Sequence, residues 1–302
     1  MPNTRLIPAR FTYHRPGRLQ EALELLARLP APRVLAGGTD LLIQIKTGEC
    51  QPEALVQVLD IQELAAFTVA AGAAGLTVGA AVPLYRLEEE KLLAARYTAL
   101  HEAVRALASV QIRTMATLGG NLCNASPSAD TSGPLIVLGA EAEIAGLSGG
   151  KVALRRVGMA KFFTGPGATV LQPGELLVAL RLPEPPAASG SAFLKLGRVT
   201  LDMAKVSASA YLEREGGRLR AVRLAVGGAA PTPVRALAVE KALSGAAFSP
   251  SAVQKAVARV QESISPIDDV RSTAEYRRLM APVVLRDAIL TAWRRAGGEV
   301  KE

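Results

Sequence analysis

Apolar residues first fall into a helical period at Leu19, Ala22, Leu23, Leu26 and Ala27, which predicts a helix over residues 19–29. Residues 33–36 read as a short strand, Gly37-Gly38-Thr39-Asp40 as a turn, and 41–46 as an apolar helix or extended segment. A strand is predicted over 54–59, and 67–70 with 76–79 read as a hairpin joined by an Ala/Gly turn. The Ala-rich run 64–74 fits a packed strand edge and that turn. Residues 84–95 and 97–108 are helical, 135–139 closes a short helix, and 141–145 and 151–155 are short strands. Residues 162–167 read as a loop, and 175–183 as a strand that stops at Pro183. Pro185-Pro186-Ala187-Ala188-Ser189-Gly190 is the candidate linker. Beyond it, strands are predicted at 191–198, 204–213 and 219–226, with turns near 200–202 and 215–217, and helices at 234–244, 250–263 and 274–296. The order predicts an α+β chain that ends in a three-stranded antiparallel sheet with a three-helix bundle.

One stretch escapes these periods. Residues 113–130 carry Gly119-Gly120, Asn121, Asn124, Ser126-Pro127 and Asp130, with apolar sequence on both sides. This reads as a polar, glycine-paired loop, suited either to close backbone approach of a ligand or to a long ordered turn. Ala36-Gly37-Gly38-Thr39-Asp40 has the same character. A glycine pair and a hydroxyl after a strand can turn several N–H groups toward an anion. Alternatively, Thr39 or Asp40 caps the following helix. Neither stretch matches G-x-x-x-x-G-K-[ST] or G-x-G-x-x-G, which argues against an ATPase and an ordinary dinucleotide fold.

Composition narrows the chemistry. The 302 residues suggest about two domains, and 49% hydrophobic content supplies real cores with only 4% aromatics. The net charge of +8 is spread along the chain without Lys/Arg runs interleaved with aromatics, so no nucleic-acid partner is expected. A basic face for an acidic protein remains compatible with that charge. Cys50, Cys123, His14 and His101 have no metal-ligand spacing, so no metal or iron–sulfur site is expected within the chain. The sparse cysteines point to free thiols and a cytoplasmic protein, and no signal-peptide core or membrane-spanning run is read. Acid–base groups are scarce at the two glycine stretches, and no catalytic residue is expected. A site rich in backbone donors and small hydroxyls holds a cofactor that brings its own chemistry, and a diphosphate suits it.

These residues resemble a known family. Residues 36–41, 116–121 and 125–130 look like the two FAD loops of the FAD-binding, medium subunits of molybdenum hydroxylases, the carbon monoxide dehydrogenase and xanthine dehydrogenase group. The likeness continues through 162–166, 173–177 and 193–198, and so covers nearly the whole chain. It implies a two-lobed FAD-binding domain of the PCMH/VAO type, with a small α/β lobe at 1–58 and a larger α+β lobe at 59–184. A C-terminal domain of the same flavoprotein type would occupy 190–302. It further implies that Leu35 contacts the cofactor and that Ala36, Gly37, Gly38, Thr39, Asp40 and Leu41 surround the FAD diphosphate, with Thr117, Gly119, Gly120 and Asn121 on the other side. Asp130 would contact the adenosine or ribityl side, Leu177 and Lys195 the adenine and flavin ends, and Leu107 a further apolar position. Two departures stand out: Val199 follows Arg198 where a second Arg is common, and no cysteine-rich insertion is present.

The resemblance implies an electron-transfer subunit of a heteromeric oxidoreductase. Its partners would be a large subunit with the molybdenum cofactor, a small subunit with two [2Fe–2S] clusters, and an external electron acceptor. FAD would be its only redox centre. A stand-alone flavin reductase of the same broad fold and a non-enzymatic nucleotide-binding scaffold are the alternatives.

Overall fold

A computed structural model of the chain describes residues 7, 10–69 and 75–300. Strands β1 (Thr12–His14), β2 (Pro32–Leu35) and β3 (Ala54–Gln57) form a parallel sheet in the order β1-β3-β2. Helix α1 (Leu19–Arg28) makes the first crossover and α2 (Leu41–Thr47) the second. Parallel neighbours need such crossovers. The central strand is buried along its length, which is why Ala54-Leu55-Val56 is apolar without alternation. Leu19, Ala22, Leu23 and Leu26 pack with Val56, Val58, Ala145 and Leu176, so this layer shares its core with the next sheet.

After α3 (Gln62–Ala65), strands β4 (Phe67–Val69) and β5 (Leu76–Gly79) pair antiparallel. Part of the turn expected between them, residues 70–74, lies outside the described residues. Six helices follow: α4 (Leu84–Glu89), α5 (Lys91–Arg96), α6 (Thr98–Ala106), α7 (Val110–Met115), α8 (Leu118–Asn124) and α9 (Ser132–Val137). The helix expected over 84–95 is broken at Glu90, which turns extended so that its carboxylate caps the Leu92 N–H. Strands β6 (Glu141–Ser148), β7 (Lys151–Gly158), β8 (Phe163–Gly165), β9 (Ala168–Thr169) and β10 (Leu176–Leu182) come next. The second sheet is antiparallel in the order β4-β5-β10-β6-β7, and β8 with β9 forms a ribbon where a loop was expected.

The remaining strands are β11 (Ser189–Leu196), β12 (Val206–Glu215), β13 (Arg218–Gly227) and β14 (Val234–Arg235). They make a four-stranded antiparallel sheet, not the three-stranded one predicted. Residues 234–235 were expected to begin a helix. Glu240 instead reaches back, accepting from the Leu224 N–H and from Arg235, and holds the extended segment on β13. Helices α10 (Leu237–Leu243), α11 (Pro250–Val257) and α12 (Ala274–Arg295) cover one face of this sheet. The candidate linker is shorter than expected, because Ser189 and Gly190 belong to β11. A Cβ on Gly190 would lie 2.2 Å from the Ala292 carbonyl oxygen, so glycine there lets α12 sit directly on the strand.

The stretch 113–130 is a loop only from residue 125 on. It holds the end of α7 and all of α8, each started by a hydroxyl cap: Ser109 accepts from the Ile112 N–H and Thr117 from the Gly120 N–H. Helices of six and seven residues are too short to show an apolar period. Ala125, in the left-handed region at φ 48°, ends α8.

Candidate cofactor site

The loop after β2 leaves the carboxyl end of the parallel sheet, where α/β layers place their ligands. The backbone N–H groups of residues 36–41 have no acceptor among the described residues. Asp40 stands at the N-cap position of α2, as the capping alternative had it, but its side chain makes no cap hydrogen bond. Gly38 takes φ +71° and lies against Leu35 and Leu42. At Gly37 a Cβ would be 1.8 Å from the Met115 carbonyl oxygen. The loop therefore rests backbone to backbone on the end of α7, and the two glycine stretches meet. Gln44 of α2 adds a side-chain link to Asn124 of α8 at 3.4 Å.

The second stretch offers fewer free donors than its glycines suggested. The Gly119 N–H donates to the Ala80 carbonyl at 2.8 Å, Gly120 to the Thr117 hydroxyl at 3.0 Å, and Asn121 to the Thr117 carbonyl at 3.0 Å. Gly119 serves close packing: a Cβ there would meet Ala80 at 2.6 Å. What remains is the Thr117 N–H, without an acceptor among the described residues, and the Asn121 side chain. The Thr131 hydroxyl donates to Asn121 Oδ1 at 2.6 Å, which leaves the amide nitrogen as the free end.

Asp130 and Lys195 meet across the seam to the last sheet. Lys195 Nζ on β11 donates to Asp130 Oδ2 at 2.7 Å and to the Ala106 carbonyl at 2.9 Å. Asp130 Oδ1 is buried without a partner. Burial pushes the Asp130 carboxyl up to about 6, against the pull of Lys195. Leu107, at the end of α6, and Leu177, on β10, belong to the core that contains Leu118 and Leu122. Cys123 lies on the exposed side of α8. Sequence reasoning missed two buried polar residues. Gln57, the register partner of Leu35, buries an amide oxygen without a partner. Arg113 is only 5% exposed. The signal for Gln57 was a lone amide in an apolar strand; for Arg113, a charge in a short helix gave none.

Residues 9–185 match the family described as the FAD binding domain in molybdopterin dehydrogenase, and residues 191–292 the CO dehydrogenase flavoprotein C-terminal domain. The chain belongs to the FAD-binding subunits of molybdenum-containing dehydrogenases. It is 36% identical over 292 residues to the carbon monoxide dehydrogenase medium chain of Afipia carboxidovorans, covering 96% of this chain and 99% of that one. The putative xanthine dehydrogenase FAD-binding subunit of Escherichia coli is 32% identical, with 96% and 98% covered. The solved carbon monoxide dehydrogenase from Hydrogenophaga pseudoflava superposes with a TM-score of 0.91 at 33% identity, over 96% of this chain and 99% of that one. The protein is thus an FAD-binding flavoprotein subunit of an oxidoreductase.

The residues present fit that cofactor. A diphosphate needs several N–H donors, and the loop at 36–41 keeps a run of them unclaimed. A hydroxyl or N–H donor is needed by the orphaned Asp130 Oδ1, and FAD carries both. No helix among the described residues is long and apolar enough to cross a membrane.

Proposed function

We propose that the chain holds FAD between the loop at 36–41 and the start of α8, receives electrons from [2Fe–2S] clusters of a small partner subunit, and passes them to an external acceptor. A large subunit with the molybdenum cofactor would oxidise the substrate. The observation that carries this reading is the run of unclaimed N–H groups pinned against α7 by Gly37. In this arrangement residues 36–41 bind the diphosphate, while Thr117 and Asn121 offer the N–H and the amide of the opposite wall. Gly119 and Gly120 shape the wall without donating to the cofactor. Asp130 takes a donor of the cofactor on Oδ1, Lys195 balances its charge, and Leu107 and Leu177 limit water on the apolar side.

Bound FAD supplies the exchange between one-electron and two-electron carriers. The chain's residues supply binding, orientation and the local field. The domain division follows the same logic, with lobes at 1–58 and 59–184 and a C-terminal domain at 190–302. The working compartment is the cytoplasm, in keeping with free Cys50 and Cys123. The flavoprotein C-terminal match at 191–292 favours this subunit role over a stand-alone flavin reductase.

The test is to co-express the chain with molybdenum-cofactor and [2Fe–2S] subunits from its own source organism and follow flavin absorbance. Reduction of flavin by substrate only in the assembled complex is expected. Flavin reduced by NADPH in the isolated chain, with no dependence on partners, would overturn the reading in favour of the reductase.

A further inference from the structure

Arg113 is the most heavily engaged buried cation near the site, and nothing above assigns it a role. Its guanidinium pairs with Glu88 on α4, Nε donating to Oε2 at 2.8 Å and one terminal nitrogen to Oε1 at 3.1 Å. The other terminal nitrogen donates to the carbonyls of Leu107 and Ala108, each at 3.0 Å. Ala108 stands at φ +45°, a left-handed conformation that a non-glycine residue keeps only when its surroundings hold it. The carbonyl of Ala106, the residue before Leu107, is taken by Lys195. Three successive carbonyls at the end of α6 are therefore gripped by two cations, one of them Arg113. The backbone of α7 starts at this turn and ends at Met115, the carbonyl against which Gly37 rests.

We infer that Arg113 is a positioning residue for the cofactor site: it fixes Leu107 on one side and, through α7, sets the seat of the loop at 36–41. Glu88 orients the guanidinium, and the two carbonyl contacts do the positioning. This rests on the assignment of 36–41 as the diphosphate loop. A lysine cannot replace Arg113, because one ammonium cannot stand at all three guanidinium nitrogens, two of which reach the Glu88 carboxylate while the third reaches both carbonyls.

The test uses the full chain, stripped of flavin and titrated with FAD, with apo-protein melting and visible-region circular dichroism of the bound flavin as further readouts. Glu88→Gln leaves the carbonyl contacts in place and is expected to keep FAD affinity within about threefold of wild type. Arg113→Lys, and Arg113→Met combined with Glu88→Gln so that no carboxylate is left unpaired, are expected to lose about tenfold or more in affinity. Their flavin dichroism should change while apo melting stays close to that of Glu88→Gln. Wild-type affinity and dichroism in the Arg113 variants would overturn the inference. So would affinity losses that merely follow the apo melting temperature across all the variants, or failure of every Arg113 variant to fold. Gly37→Ala tests the loop assignment separately: if it keeps full affinity the loop is misassigned, whatever Arg113 does.

Discussion

Asp130 carries a pH signature. Its carboxyl is raised from the ordinary 3.8 to about 6 by burial, so folding takes up a proton between those values. Asp130's own contribution to the stability of the flavin-free chain therefore falls as pH rises from about 4 to about 6 and is level above that. A ligand that donates to Oδ1 favours the carboxylate, so FAD affinity rises over the same window. Asp130→Asn should flatten both profiles, read by chemical denaturation and flavin titration; unchanged slopes would remove Asp130 from the site. Gly37→Ala places a methyl 1.8 Å from a backbone oxygen and is expected to weaken FAD binding by about a hundredfold. Cys123→Ser, on the exposed side of α8, should leave flavin content unchanged. At this scale the sequence was legible where a residue type has one reason to be present. Gly37 was read as admitting a ligand close to the backbone, and the group that comes close is the Met115 carbonyl. Gly119 and Gly120 looked the same, yet their N–H groups are spent inside the protein and Gly119 packs on Ala80.

The short helix α8 depends on its cap. Thr117 is 1% exposed, and its hydroxyl accepts from the Gly120 N–H, so Thr117→Ala should cost about 1 kcal/mol. Urea denaturation measures the loss, and flavin affinity should fall with it because the cap residue also carries the unclaimed N–H. Gly119→Ala drives a methyl into the Ala80 backbone, 2.7 Å from its carbonyl oxygen, and is expected to be worse than Gly120→Ala, which meets only the Thr117 hydroxyl at 2.9 Å. The longer elements, α1, β6, β12, β13 and α12, were readable because a period repeated several times. The elements that build the site were not, since α7, α8, β8 and β14 repeat nothing.

Across the whole molecule, the last sheet is joined to the FAD-binding portion by buried contacts. Phe193 of β11 packs with Ala99 and Ala103 of α6. Arg295 of α12 pairs with Glu102 of α6, which also accepts from the Phe193 N–H at 2.9 Å. Tyr211 and Ala225 belong to the core built around α4 to α9. The intact chain should melt in one calorimetric transition. Phe193→Ala, at a site 4% exposed, should cost about 3–4 kcal/mol and split that transition in two. A single unshifted transition would mean the seam contributes little.

Composition and pattern by themselves determined the α+β class, the order of most elements, the two glycine stretches and the family likeness, because each is written in local spacing or residue type. Only the tertiary structure decided which N–H groups are free, that Gly37 leans on Met115, that Lys195 reaches back to Asp130 and the end of α6, and that a fourth strand completes the last sheet. Those facts depend on which distant backbone atom lies within 3 Å of a donor or a missing Cβ, and local sequence carries no record of that partner.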